Sequence, residues 1–349
     1  MEINFWAGKN VLITGHTGFK GSWLTMFLNN LGANVIGVSL EPEESSSLFN
    51  QANIAGMCKH NICDIRDFNQ LQKIVFSEEI DIVFHLAAQS LVRKSYELPL
   101  KTFDVNVVGT ANILELMAQH ESVKVGIFAT TDKVYKNDEK GIPFKECDRL
   151  GGHDPYSSSK AASELIIESY CKSFFGTRDI AVSSVRAGNV IGGGDWSQDR
   201  ILPDAVRAWD NKETLKIRSP NSIRPWQHVL DCLFGYMLLA EKLWDDQSLQ
   251  GAYNFGPSIL DALSVIDIVK LASNIYDTND FSIEDDRAFH EAGFLTLDVS
   301  KAISKLGYQP CWAADEAVKK TMMWYKNFSN GSDALSLCIQ DIDAYLSSI

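Results

Sequence analysis

Short apolar runs and helically spaced stretches alternate along the first half of this chain. Val11, Leu12 and Ile13, within residues 10–14, form the first run, of the kind that suits a buried strand of a parallel sheet. Phe19, Trp23, Leu24, Phe27, Leu28 and Leu31 follow at helical spacing, with Gly32 as a stop. Residues 34–38 return as a second strand, and 58–62 as a third. Residues 68–76 have a helical pattern, 80–88 read as a strand running into small residues, and 103–119 are helical again. Asn106 falls inside that last helix, where an Asn reads as solvated or structural. An apolar strand at 123–129, a helix at 155–174 and a strand at 180–186 complete the series. Strands alternating with helices from 10 to 186 predict an α/β fold with a doubly wound parallel sheet.

After Arg186 the pattern changes. Residues 188–196 form a glycine-rich loop, and Arg200, Arg207, Arg218 and Arg224 follow it. Residues 231–243 read as a helix and 252–257 as a strand and turn, and the tail from Ala262 is mostly helical through Tyr325. The expected organisation is a first domain over 1–187, rejoined by about 229–258. A smaller, mostly helical substrate domain is expected from 188–228 and 259–349.

Three stretches carry chemistry. Gly15, Gly18 and Gly21 stand in GxxGxxG spacing between the first strand and its helix. Glycines there permit a tight turn, close approach of backbone to a pyrophosphate, and close helix–strand packing. The acid that usually grips the adenosine ribose is missing at the end of the second strand, where Ser39, Leu40 and Glu41 stand, unless Glu41 reaches it. No arginine is there for a 2′-phosphate either, which favours NAD over NADP. The second stretch runs from Thr130 to Lys160. Tyr156 and Lys160 lie four apart, on one face of a helix. A lysine beside a tyrosine favours the phenolate and lets it act as a base near neutral pH. An ordinary exposed Tyr and Lys is the plain alternative. In the third stretch, Arg224, Pro225 and Trp226 combine a cation, a rigid turn and an aromatic ring, which suits a diphosphate and a flat base. His85 reads as a packed residue rather than a catalyst.

Composition narrows the partners. A net charge of −13 argues against a general nucleic-acid or anionic-membrane surface, so an anionic substrate needs local arginines. Seven cysteines without CxxC spacing read as reduced thiols in the cytoplasm, with neither a disulfide framework nor a metal site. No run is long and apolar enough to span a bilayer.

Taken together, Gly15-x-x-Gly18-x-x-Gly21, His85-Leu86-Ala87-Ala88, Tyr156-x-x-x-Lys160 and Arg224-Pro225-Trp226-x-His228-Val229 resemble the extended short-chain dehydrogenase/reductases that act on nucleotide sugars. The resemblance covers nearly the whole chain and implies a Rossmann-like NAD domain. Sugar 4,6-dehydratases of this superfamily carry Thr-Asp-Glu after the relevant strand; here the residues are Thr131, Asp132 and Lys133. That lysine, with the opening run from Gly15 to Trp23, is similar to the branch acting on CDP-glucose.

The resemblance implies roles residue by residue. Tyr156 takes the proton of the sugar 4-OH as hydride passes from C4 to NAD+. Lys160 holds the nicotinamide ribose, and Thr131 bonds near the 4-oxygen. A base then removes the C5 proton, Asp132 protonates the leaving 6-OH, and hydride returns to C6. Lys133 and a bound water compete for the part of the C5 base. Cofactor contacts are expected from Gly15, Thr17, Gly18, Phe19, Gly21, Asp64, Ile65, Leu86, Ala87 and Ala88, besides Tyr156 and Lys160. Substrate contacts are expected from Gln89, Asn189, Arg200, Arg218, Arg224 and His290. A homodimer or homotetramer, and a place in 3,6-dideoxyhexose supply for bacterial surface polysaccharide, are implied by resemblance alone. A dTDP- or UDP-sugar dehydratase, a nucleotide-sugar epimerase or reductase, and a non-catalytic NAD sensor remain as alternatives. An epimerase or reductase would leave Asp132 without a role, and a sensor would not need both Tyr156 and Lys160.

Overall fold

The computed structural model describes residues 2–42, 44–284 and 293–349. Its strands are β1 (Asn10–Thr14), β2 (Asn34–Ser39), β3 (Lys59–Ile62), β4 (Ile82–His85), β5 (Val125–Ala129), β6 (Ala181–Ala187), β7 (Val190–Ile191), β8 (Leu215–Ile217), β9 (Ile223–Arg224), β10 (Gln227–His228), β11 (Gly251–Phe255), β12 (Leu263–Ser264) and β13 (Phe281–Ile283). Seven of them form one sheet in the order β11–β6–β5–β4–β1–β2–β3. Every pairing in it is parallel, with Val11 set between Val35 and Ile82. Helices cover both faces of such a sheet, which is why β1, β4 and β5 are apolar runs rather than alternating ones. The strand expected at 80–88 stops at His85, because Leu86–Ala88 leave the sheet as a loop.

The helices are α1 (Phe19–Asn30), α2 (Leu48–Gln51), α3 (Phe68–Val75), α4 (Val92–Glu97), α5 (Pro99–Phe103), α6 (Gly109–Gln119), α7 (Pro155–Tyr170), α8 (Ile201–Asp210), α9 (Val229–Asp245), α10 (Val265–Ile275), α11 (Ser300–Leu306), α12 (Ala314–Ser329) and α13 (Ala334–Leu346). Asp154 starts α7: its carboxylate accepts from the Ser157 amide at 2.9 Å and the Ser157 hydroxyl at 2.6 Å, and Pro155 occupies the first turn. The helix expected over 103–119 is interrupted. Residues Asp104–Val108 form a wider π turn between α5 and α6, and Asn106 lies in it.

Beyond β6 the chain makes two-stranded pairs (β7 with β10, β9 with β12, β8 with β13) and returns to the main sheet through β11, beside β6. Among the described residues, the sheet and the chain beyond it share apolar packing. One apolar cluster runs from Trp23 and Phe27 of α1, through Leu233 and Met237 of α9, to Tyr325 of α12 and Tyr345 of α13.

Candidate functional site

The strand order reverses between β2 and β4 around β1, and open α/β sheets bind ligands at the carboxyl ends of such strands. A cleft of about 1210 Å³ opens there. Gly15 leaves β1 with φ +80, and a Cβ on it would stand 2.7 Å from the Ala87 amide nitrogen. The loops after β1 and β4 therefore touch, and only glycine permits it. Gly18 caps α1, so the free amides of the first turn face the cleft, and a Cβ at Gly21 would stand 2.1 Å from the Gly15 carbonyl oxygen. His16 turns away from the cleft. Its ring lies over Gly37, its Nε2 is 2.6 Å from His60 Nδ1, and burial lowers its pKa to about 4.

Thr17, Phe19, Ile65, Leu86, Ala87 and Ala88 line the same end. The Thr17 hydroxyl meets Ser39 Oγ at 2.7 Å and donates to the Leu40 carbonyl at 2.9 Å, which ties the glycine turn to the end of β2. Glu41 and Glu44 line this end too. Asp64 lines the cleft, but its carboxylate is held by Arg66, whose Nη2 stands 2.6 Å away. His85 is packed: its Nδ1 lies 2.7 Å from Thr14 Oγ1 and its Nε2 3.1 Å from Thr110 Oγ1, and burial lowers its pKa to about 3. Thr14 Oγ1 also accepts from the Ala87 amide at 3.3 Å, so this buried set fixes the loop after β4. A glycine turn, a helix N-terminus and small residues on one wall fit a dinucleotide.

Thr131, Lys133, Tyr156 and Lys160 line the centre of the cleft. Lys160 Nζ donates to the Ala129 carbonyl at the end of β5, 2.9 Å away. Burial, with Lys20 nearby, lowers its pKa to about 8. Tyr156 departs from expectation. Burial pushes its phenol up to about 12, Asp132 adds to the rise, and the hydrogen bond to Thr131 pulls against it. The neighbouring lysine does not offset desolvation of the phenolate, so the chain's own groups hold Tyr156 protonated near neutral pH. The Thr131 hydroxyl donates to Asp132 Oδ1 at 3.0 Å, and Lys133 Nζ donates to the same oxygen at 3.0 Å. Asp132 is fully buried behind the cleft wall, and its Oδ2 has no hydrogen-bond partner among the described residues. A Cβ on Gly188, which does line the cleft, would stand 3.2 Å from that oxygen. Thr131, Asp132 and Lys133 thus form a bonded set, with Thr131 and Lys133 lining the same cleft as Tyr156.

Beneath them lies a buried ion pair that spacing gave no sign of. Glu164 of α7 accepts from Arg186 Nε and Nη2, both at 2.9 Å, from Ser184 Oγ at 2.6 Å and from Thr130 Oγ1 at 2.5 Å. It fixes the residue just before Thr131. Asn106, expected to be solvated or structural, is buried. Its side chain accepts from the Gln89 amide at 2.8 Å and donates to the Gln89 carbonyl at 3.0 Å and to Ser159 Oγ at 2.9 Å.

Arg200, Arg218, Arg224 and Asn189 line the outer part of the cleft. Arg200 pairs with Asp195 at 3.1 Å, and Arg224 Nη1 donates to the Ile223 carbonyl at 2.9 Å. Gln89 lines the cleft but turns its amide inward: Oε1 accepts from the Leu91 amide at 2.7 Å, and Nε2 donates to the Leu91 carbonyl and Thr102 Oγ1. Its substrate contact would require breaking that closed set. His290 lies outside the described residues. Lys20, inside the glycine turn, also lines the cleft, as do Arg93 and Lys94, which topology brings in with no motif around them.

The reversing parallel sheet, the glycine turn and the Tyr156/Lys160 pair define an extended short-chain dehydrogenase/reductase of the nucleotide-sugar kind. The family model described as GDP-mannose 4,6 dehydratase matches residues 12–321. The chain belongs to that family. It is 41% identical to a CDP-glucose 4,6-dehydratase of Salmonella typhimurium, over 99% of each chain. The fold is similar to an epimerase of Methanothermobacter thermautotrophicus, at 25% identity, TM-score 0.80, covering 93% of this chain and 94% of that one. It is similar also to MoeE5 in complex with UDP-glucose and NAD, at 25% identity, TM-score 0.79, covering 92% of this chain and 100% of the other.

Proposed function

We propose that this chain binds NAD and converts CDP-glucose to CDP-4-keto-6-deoxyglucose and water. The observation that carries the reading is the bonded set of Thr131, Asp132 and Lys133 in the cleft that Tyr156 and Lys160 line. It joins the oxidation pair to an acid that an epimerase or reductase would not need. The full-length similarity to a CDP-glucose 4,6-dehydratase supports the choice of sugar nucleotide.

The glycine turn, Thr17 and Ala87–Ala88 would hold the dinucleotide, with Lys160 at its ribose. When bound, NAD supplies the hydride acceptor for oxidation at C4 and returns that hydride at C6. Tyr156, ionised once the positive charge of bound NAD+ lies beside it, takes the 4-OH proton, and Thr131 hydrogen-bonds at the 4-oxygen. Asp132, with its unpartnered Oδ2 next to the cleft wall, delivers a proton to the leaving 6-OH. Lys133 stands beside it as the candidate C5 base, and its contact with Asp132 Oδ1 allows a proton to be shared between the two. A bound water is the competing base. Arg200, Arg218 and Arg224 supply positive charge for the diphosphate.

The same proposal extends to the cytoplasm as the working compartment, to 3,6-dideoxyhexose supply, and to a homo-oligomer. Leu100 of α5, Val108 of the π turn after it, Leu165 of α7 and Phe174 of a second π turn (Cys171–Phe175) leave apolar surface exposed, which supports self-association there. Incubation with CDP-, dTDP-, UDP- and GDP-glucose tests the reading. CDP-glucose should yield a 4-keto product with no net consumption of NAD. Stoichiometric NADH formation alongside product would refute it.

A further inference from the structure

The cleft's outer wall holds an acid that the reaction does not use. Asp199 is one of the few non-glycine residues with positive φ, at 60. Asp tolerates that conformation, but it is uncommon, and such residues concentrate at functional sites. Its carboxylate lies between two arginines from distant parts of the chain. Arg218 Nη2, just after β8, donates to Oδ1 at 3.1 Å, and Arg93 Nη1 of α4 lies 3.4 Å from the same oxygen. All three residues line the cleft. In a chain of net charge −13, an anion between two convergent guanidinium groups marks a place built for anions.

These pairs differ from the buried scaffold. Glu164 and Arg186 are 5% and 4% exposed, whereas Asp199 is 41% exposed and Arg93 and Arg218 are 30% and 26%. Ion pairs so open to water are worth a factor of about five or less in an equilibrium constant. A diphosphate brings more charge and several acceptor oxygens, and arginine matches it in bidentate geometry. The loop bearing Asp199 is also anchored from behind. Arg207 donates to the Trp196 carbonyl at 2.9 Å and the Ser197 carbonyl at 3.1 Å, so Asp199 can swing out without the loop unfolding.

We infer that Arg93 and Arg218 form a seat for the substrate's diphosphate, and that the Asp199 carboxylate occupies this seat until the diphosphate displaces it. The inference rests on the nucleotide-sugar reading above and adds to it a positioning residue, Arg93, and an internal competitor, Asp199.

The test is calorimetric titration of CDP, UDP, dTDP and cytidine into the NAD-loaded enzyme and two variants. Asp199→Asn keeps a residue tolerant of positive φ and removes the charge. It should tighten CDP by about three- to tenfold, the sum of two weak pairs, and leave cytidine, which lacks phosphates, unchanged. Arg93→Gln should weaken CDP by about tenfold or more, with NAD affinity as in the wild type. Equal or weaker CDP binding by Asp199→Asn, or wild-type CDP binding by Arg93→Gln, overturns the seat. CDP-glucose turnover with no effect of either variant would sink the seat and keep the functional reading. The expected shifts on UDP or dTDP, without CDP-glucose turnover, would keep the seat and sink the choice of substrate.

Discussion

Glu164→Gln tests whether the buried pair under the site holds both fold and chemistry. Glu164 accepts four hydrogen bonds, two from Arg186 and one each from Ser184 and Thr130. Glutamine removes the charge and turns one acceptor oxygen into a donor facing donors. Arg186 would lose one of its two bonds to residue 164 and keep the other, with Tyr135 Oη and the Glu146 carbonyl on its Nη1. Breaking a buried pair by removing one partner costs about 3–5 kcal/mol. With roughly 2.1 cal/mol/K of unfolding entropy per residue, that lowers Tm by about 5 °C for a chain of this length. Activity should fall as well, because the Thr130 hydroxyl loses its short bond to a carboxylate beside Thr131, and a displacement of about 1 Å costs on the order of 10²-fold. Thermal melts read the first effect and steady-state turnover the second. The double variant Glu164→Met with Arg186→Met should recover most of the stability, since neither charge is left buried. It should not recover kcat, since the Thr130 hydroxyl is left with only the longer bond to the Val185 carbonyl, at 3.3 Å. A melt of Glu164→Gln within about 1 °C of wild type would refute this account of the pair.

Lys133→Met should still give the absorbance of bound reduced cofactor on adding CDP-glucose, yet stop solvent deuterium entering C5, with turnover down about 10²–10⁴-fold; exchange at the native rate would assign the C5 proton to a water or another residue and leave Lys133 only an electrostatic neighbour of Asp132. Tyr156→Phe should block that absorbance altogether, and its persistence would remove Tyr156 from the oxidation step. Asp231 accepts from the Cys311 amide at 2.6 Å and from Tyr345 Oη at 2.8 Å, and burial raises its pKa from 3.8 to about 6. The folded state therefore binds the proton more tightly, so this group's contribution to stability is full below pH 3.8 and falls by roughly 3 kcal/mol as pH rises to 6. Relative to wild type, Asp231→Asn should gain about 4 °C in Tm between pH 4 and 7, and a pH-independent difference would contradict the assignment. Gly15→Ala would put a Cβ 2.7 Å from the Ala87 nitrogen at a φ of +80, so NADH binding, followed by fluorescence, should weaken at least tenfold; unchanged affinity would remove the glycine turn from the cofactor site.

Much of the fold was legible because its determinants are local. Val11–Ile13 and the other apolar runs report burial on both faces of a strand, and the spacing from Phe19 to Leu31 reports a helix face. Gly15 was readable for a similar reason: a strand that turns at once into a helix needs a residue with positive φ. Tyr156 and Lys160 share a helix face because four residues make about one turn.

Other features are set by partners that spacing does not reveal. Tyr156 carries a raised pKa because burial, not its lysine neighbour, governs the phenolate. Gln89 spends its amide on Leu91 and Thr102, and Asn106 reaches Gln89 and Ser159 through a π turn that propensity does not announce. The Glu164–Arg186 pair joins a helix to a strand, and Asp199 joins Arg93 to Arg218 across more than a hundred residues. The succession of strands and helices, the glycine turn and the identities of the reactive groups can be read along the chain, since they follow from backbone sterics and side-chain chemistry between near neighbours. Which charges are desolvated and which carboxylate meets which cation emerges on folding, because dielectric environment and through-space distance arise when elements far apart in the chain pack together.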